Sequence, residues 1–410
     1  MIVRTIRPEE YKRARQLFAI AFDEGFPDSL LSPEQVLEKA VRQPQSRQDL
    51  FWQSQWAAFA DDDRTMLSTF TAIPYRCHFD GHSLELMGIG GVATPPQYRR
   101  MGGVRACFEK ALPDMYEKGA AFSYLYPFST AFYRKFGYEL GCQKLHYKLR
   151  LSSLPRMEVP GTFELLEPGA DLEADILAVE KAWQWRYNLM ILEEEIEHRW
   201  IAKADPFRDQ AYTYVYRDAQ GTPKAVVTFQ TKMDAGDRCL DATQRFAFVD
   251  QEGFGALLQL TKRMEADYSH LLFNLPTDVE PGALLPEWSL GGVECHVWQY
   301  GMVRVIDAEQ VLRCCRTRGD GDLVIELSDE QIAANSGRFH LRFCNGKTTS
   351  VAKTEAAADV SMSIQEFSRL ICGRYDMEDW KWLPDAHCFC ALEKAARVFY
   401  RKPLMIDTSF

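Results

Sequence analysis

The apolar and polar positions of the chain switch between two periods. Ile2 to Ile6 reads as a short strand, and Pro8-Glu9-Glu10 opens a helix, where proline and acids are favoured in the first turn. Tyr11, Ala14, Leu17, Phe18 and Phe22 then recur at three- and four-residue spacing, which makes one apolar face that needs a sheet to pack on. The runs QWAAFA, MLSTFTAI, RCHF and SLELMGIGGVAT follow as strands. A polar DDDR turn separates the first two, and Asp80-Gly81-His82, a hairpin signal, separates the last two. A helix is predicted from Gly102 to Gly119, with Val104, Cys107, Phe108 and Leu112 facing inward and Pro113 marking a kink or break. Ala121 to Tyr126 predicts a strand, Ser129 to Lys135 a short helix, and Tyr138 to Leu151 another alternating strand. The order strand, helix, antiparallel meander, strand, helix, strand is that of an α/β layer.

A composition shift at Ser152-Ser153-Leu154-Pro155 is followed by an echo of the first segment. YTYVYRDAQGTPKAVVTFQT reads as a hairpin over Gln220-Gly221, RFAFVDQEGFGALLQLTKRM as strand then helix, and SHLLFNLP as the next strand. A repeated unit of this kind points to duplication. From about Tyr300 the texture changes to short alternating strands (DLVIELSDE, GRFHLRFCNGK, TSVAKT, DVSMSI) and then helical QEFSRLICG and EKAARVFY, an α+β pattern of its own. The expected domains are residues 1–151, 152–299 and 300–410.

Composition narrows the function classes. A chain of 410 residues with 46% hydrophobic and 26% charged residues is expected to fold throughout, in two or three domains. A net charge of −10 argues against a nucleic-acid partner, whose electrostatic footprint is basic. The N-terminal MIVRTIRPEEYKRARQLF carries charges where a signal peptide needs an apolar core, and no run approaches membrane-spanning length, so a soluble, cytoplasmic protein is expected. The 11 cysteines, an odd number widely spread, do not form the pattern of a secreted disulfide scaffold. Cys314-Cys315 and His387-Cys388-Phe389-Cys390 lack a second ligand pair at zinc spacing, and no metal is expected.

The candidate chemistry sits in GIGGVATPPQYRRMGG, residues 88–103. Its first six residues fit a dinucleotide fingerprint, which requires glycines between a strand and the start of a helix. Pro95 and Pro96 forbid that, because residues before proline are pushed out of the helical region and the helix can begin only around Gly102. What remains is an extended strand, a bend, and Arg99-Arg100-Met101-Gly102-Gly103-Val104 leading into a helix. Free N–H groups at the helix start, glycines and two arginines suit a pyrophosphate, and strand-edge amides suit an extended amide-bearing arm. Coenzyme A needs both. Arginines at a helix N-terminus would otherwise be poorly placed against the dipole. In the second repeat the equivalent stretch, FVDQEGFGALLQL, has Asp250 and Glu252 there, which are ordinary caps and would repel a pyrophosphate. That domain is expected to bind no coenzyme.

VATPPQYRRMGGVR resembles the central signature of the GCN5-related N-acetyltransferase superfamily, with Arg99 and Gly102 in place and Val104 where the signature has glycine or alanine. With FYRKFGYE, FHLRFCNGKTTSV and DVSMSIQEFSRLICG, the whole chain resembles the enhanced intracellular survival (Eis-like) family of acetyltransferases. The resemblance implies two tandem acetyltransferase-like α/β domains followed by a sterol-carrier-protein-like α+β domain, and a homohexamer. It implies acetyl-coenzyme A contacts at Val92, Ala93 and Thr94, at Arg99 and Arg100 through Met101, Gly102, Gly103 and Val104 to Arg105, and at Phe128 and Ser129.

Acetyl transfer to an amine needs a polarised thioester carbonyl and a proton for the departing thiolate, and the amine attacks directly. FYRKFGYE offers Tyr133 and Tyr138 as proton donors; the resemblance places the general acid on Tyr133, and Tyr138 opens a strand as a core residue. It places the general base on the C-terminal carboxylate, here that of Phe410. Asp23, Glu24, Asp28 and Glu193 to Glu195 are candidates for drawing in a cationic amine, although solvated faces and helix caps are the favoured explanation for each; Trp183 and Trp185 are candidates for pocket walls or core. The expected substrate is an aminoglycoside-like or polyamine-like amine, with protein lysines, or an inactive lipid-binding regulatory role, as alternatives.

Overall fold

The apolar stripe of the first helix finds its sheet in the computed structural model, which describes residues 1–156, 158–284 and 292–407. The chain separates into two compact units, Met1–Cys142 with Gly301–Lys402 and the segment from Ile406, and Gln143–Tyr300 with Pro403–Met405.

In the first unit β1 (Ile2–Thr5), α1 (Tyr11–Phe22), α2 (Pro33–Arg42), the single turn α3 (Arg47–Leu50), β2 (Gln55–Phe59), β3 (Met66–Phe79) and β4 (His82–Ala93) lead to α4 (Gly103–Glu117), β5 (Phe122–Leu125), α5 (Thr130–Arg134) and β6 (Glu139–Arg150). Strands β1 to β4 pair antiparallel in order, and α4 crosses over so that β5 lies parallel to β4. MLSTFTAI and RCHF, expected as two strands, are the one strand β3. Its pairing with β2 ends at Thr71, so Pro74 falls where β3 has an open side and its missing N–H breaks no bond to β2. Pro113 likewise does not interrupt α4, because the carbonyl one turn back belongs to the exposed Glu109, which water can reach. Phe108 of α4 packs its ring on Phe136 at 4.5 Å and on Phe70 of β3 at 4.7 Å, fixing the helix to the sheet.

The second unit repeats this order. After β6, β7 (Thr162–Leu165), α6 (Glu173–Gln184) and the short α7 (Glu195–His198) and α8 (Pro206–Asp209) come β8 (Ala211–Arg217), β9 (Pro223–Asp234), β10 (Asp237–Phe248), α9 (Gln251–Lys262) and β11 (His270–Leu275). Strands β7 to β10 pair antiparallel and β11 lies parallel to β10. Trp183, Tyr187, Phe246, Phe248, Phe254 and Phe273 fill its core.

β12 (Val293–Val305) leads out of this unit, and its last residues, Met302 to Val305, pair with β5 in the first. Then come α10 (Ala308–Cys314), β13 (Gly321–Ser328), β14 (Gly337–Cys344), β15 (Lys347–Lys353), β16 (Val360–Ser363), α11 (Ile364–Cys372), β17 (Ala386–Cys388) and α12 (Leu392–Ala396). The five strands form a separate sheet in the order β15-β14-β13-β16-β17. Two buried ion pairs fix this part, one within it and one to residues 1–142. Arg304 of β12 donates through Nη2 to both carboxylate oxygens of Asp329 at 2.7 Å, and Lys402 Nζ donates to Asp80 in the β3–β4 turn at 2.5 Å.

Candidate active site

The pairing of β4 with β5 ends at Ile89 and Leu125, yet β4 runs on to Ala93. Its register on β3 shifts between Gly90 and Ala93, so one extra residue is accommodated there as a bulge. Beyond Ile89 the strand therefore offers amide groups that β5 does not take. The chain then turns through Pro96–Tyr98 and enters α4.

That helix start is open. Its N-cap is Gly102, in the left-handed region at φ 84°, so no side chain caps the first turn, and no acid lies within it. Gly103 is needed for a different reason: a Cβ there would stand 2.4 Å from Ser68 Oγ, so only glycine lets α4 sit this close to β3. Arg100 is also left-handed, at φ 67°. For a residue with a side chain this costs about 1–2 kcal/mol, a strain that clusters at functional sites. Arg99 reaches back to the Thr94 carbonyl at 3.4 Å, while Arg100 and Arg105 have no ion-pair partner among the described residues.

A cavity of about 590 Å³ lies over this turn. It brings together Val92, Thr94, Arg99, Arg100, Gly102, Gly103, Val104, Arg105 and Phe128 of the expected contacts. Ala93 is buried, Met101 is exposed away from it, and Ser129 caps α5 by accepting from Phe132 N–H at 3.4 Å. Sequence reasoning missed Ala21, Phe22, Ser68, Tyr98 and Phe132, which also line the cavity. Ser68 Oγ lies 2.9 Å from Thr94 Oγ1, joining β3 to the end of β4. Nothing along an ordinary strand marks such a serine in advance. The lining holds arginines and aromatic rings and no carboxylate among the described residues, so it suits an anion with an extended tail.

Tyr133 on α5 lies beneath the cavity aromatics, 1% exposed, with Phe128 and Phe132 edge-on at 5.3 and 5.2 Å. Its hydroxyl has no hydrogen-bond partner among the described residues, and burial, with Tyr138 beside it, pushes its pKa well up, so it keeps its proton at ordinary pH. Tyr138 is buried too, but its hydroxyl is committed to Ser123 Oγ at 2.7 Å, as suits a core residue. Phe410 lies outside the described residues.

Several of the acids considered for substrate attraction serve local structure. Asp28 pairs with Lys39 at 2.9 Å, Asp23 ends α1 in the left-handed region, and Glu194 caps α7. Trp183 is core, and Trp185 is partly exposed. His387 and Cys388 belong to strand β17, where they pair with β16. At the start of α9, Asp250 accepts from Gly253 N–H at 3.0 Å and from Lys224 Nζ at 2.7 Å, and Glu252 accepts from the Tyr216 hydroxyl at 2.9 Å.

Comparison with known proteins gives this geometry a class. Residues 2–141 match the acetyltransferase (GNAT) domain, and residues 308–405 the sterol carrier protein domain. An uncharacterized N-acetyltransferase of Streptomyces avermitilis is 23% identical over 320 residues, 72% of this chain and 73% of that one. Among solved structures, a probable N-acyltransferase from Enterococcus faecalis (TM-score 0.82, 19% identity, 100% of this chain and 99% of that one) shares the fold. So do a GCN5-related N-acetyltransferase from Anabaena variabilis (0.83, 16%) and Eis1 from Mycobacterium abscessus (0.78, 16%), each with both chains fully covered. Residues 2–141 are an acetyltransferase (GNAT) domain, and the protein is an N-acetyltransferase. Its whole-chain fold is shared with Eis1. The acetyltransferase fold implies use of acetyl-coenzyme A. The site thus combines an uncapped helix start with the end of β4, paired to β3 but open on the β5 side. No helix among the described residues is long and apolar enough to cross a membrane.

Proposed function

We propose that the protein transfers acetyl from acetyl-coenzyme A directly to an amine of a cationic small molecule, aminoglycoside-like or polyamine-like. The observation that carries this is the uncapped start of α4, with Arg99, Arg100 and Arg105 around one cavity and Tyr133 beneath it. When bound, the coenzyme supplies an activated acetyl thioester. Arg100, Arg105 and the first N–H groups of α4 hold the pyrophosphate, and the amides of Val92 to Thr94, with Ala93 between, orient the arm and donate to the thioester oxygen. Met101 and Ser129 flank these contacts and shape the turns that present them. Tyr133 holds the proton that the departing sulfur takes up. The base assigned by family resemblance is the Phe410 carboxylate.

Residues 152–299 form, in this proposal, a domain without coenzyme, because Asp250 and Glu252 close the matching helix start. The assembly proposed from the resemblance is a cytoplasmic homohexamer. Thiol release is to be followed with acetyl-coenzyme A against aminoglycosides, polyamines and lysine peptides. Turnover on the first two classes is expected; turnover on peptides alone would move the substrate to protein lysines, and tight coenzyme binding without turnover on any amine would favour a ligand carrier. One residue added after Phe410 is expected to abolish turnover while coenzyme binding persists.

A further inference from the structure

The second unit holds a cluster that acetyl transfer does not use. Glu180 lies near the end of α6, Glu193 in the segment that follows, and His198 closes α7. His198 Nε2 stands 3.5 Å from Glu193 Oε2 and 3.9 Å from Glu180 Oε2, too far for good hydrogen bonds. Glu180 Oε2 and His198 Nε2 are nevertheless buried without a hydrogen-bond partner among the described residues, and the Glu180 side chain is only 8% exposed. Buried polar atoms of this kind call for an explanation.

The distances supply one. Ligand atoms at tetrahedral corners, each about 2.0–2.1 Å from a zinc ion, lie about 3.4 Å apart. The remaining bonds hold the carboxylates in place from outside. Glu180 Oε1 accepts from Arg245 Nε at 2.5 Å, Arg245 in turn lies 3.8 Å over the Trp200 ring, and Glu193 Oε2 accepts from Gln184 Nε2 at 3.4 Å. Such outer partners are what orients the ligands of a metal site. One imidazole and two carboxylates suit a borderline ion such as zinc better than magnesium or calcium, which prefer oxygen alone.

We propose that Glu180, Glu193 and His198 bind one divalent transition-metal ion, zinc by preference, which clasps the segment after α6 to that helix. The expectation of no metal rested on cysteine spacing, and this cluster contains no cysteine. Among the described residues it is the group of three ligand-type side chains whose donor atoms converge.

The test uses the full chain, stripped with a chelator and titrated with zinc by calorimetry. One zinc per chain is expected, with a rise in Tm that chelator reverses. Glu193→Gln and His198→Gln are each expected to weaken binding at least tenfold with far-ultraviolet circular dichroism unchanged, and Cys390→Ser to leave it unchanged. Cobalt in place of zinc is expected to give visible bands without thiolate charge transfer. Absence of saturable zinc binding, binding unaltered in both ligand variants, or a thiolate band would overturn the proposal.

Discussion

The starts of α4 and α9 occupy the same place in two repeats of one fold, and they are finished in opposite ways. Each helix follows the last strand of an antiparallel run and leads to a strand parallel to it. Each carries a glycine in its first turn because the sheet comes too close for a Cβ, 2.4 Å from Ser68 Oγ at Gly103 and 2.4 Å from the Lys224 carbonyl at Gly253. There the likeness ends. Asp250 and Glu252 close α9 with its own side chains, whereas α4 opens at a glycine with no acid in its first turn. A helix N-terminus is an anion site by default, and what decides its use is whether the chain supplies the anion itself.

The largest effect that would sharpen this comparison is chemical. Tyr133→Phe is expected to lower kcat by about 10²–10⁴-fold while the Kd for acetyl-coenzyme A, measured by calorimetry, stays the same. A loss under threefold would move the acid elsewhere. Next is closure of the open start. Arg100→Glu or Gly102→Asp is expected to cost about 1.5–3 kcal/mol of coenzyme binding, roughly 10- to 100-fold in Kd. Unchanged affinity would break the comparison.

The capped helix gives smaller effects. Asp250→Ala should lower the stability of the second unit by about 1 kcal/mol in urea unfolding, with no change in coenzyme affinity. The smallest effect is in acid. Burial raises the Asp250 carboxyl, but the bonds from Lys224 and the Gly253 N–H outweigh it and hold the group below its ordinary value. A depressed carboxyl contributes stability above its unfolded pKa and loses it as pH falls through the folded one. Unfolding followed below the ordinary carboxylate range should therefore show an acid-sensitive contribution that Asp250→Asn removes. The start of α4, having no acid, should add none.

Much of this contrast was legible in the sequence because local rules decide it. Pro95 and Pro96 fixed where α4 can begin, Asp80-Gly81 marked the hairpin, and Asp250 three residues before Gly253 is a cap by spacing alone. Features that depend on distant partners were not legible. Ser68 and Phe132 reach the cavity from other elements, and β3 runs through Pro74 only because β2 stops short of it. Arg304 and Asp329 are 25 residues apart, and neither announces the other. Glu193 read as one acid in a charged run, and only the fold shows that it faces His198.

The first unit is assembled from both ends of the chain, with β5 waiting for Met302 to Val305 as its neighbour. A nascent chain leaving the ribosome has therefore made all of residues 143–300 before the acetyltransferase sheet can acquire that strand. The inserted repeat has time to settle first, and until β12 emerges the β5 edge stands open to any passing strand. Synthesis of the first unit ends late, and a stalled chain would carry the open start of α4 on an unfinished sheet.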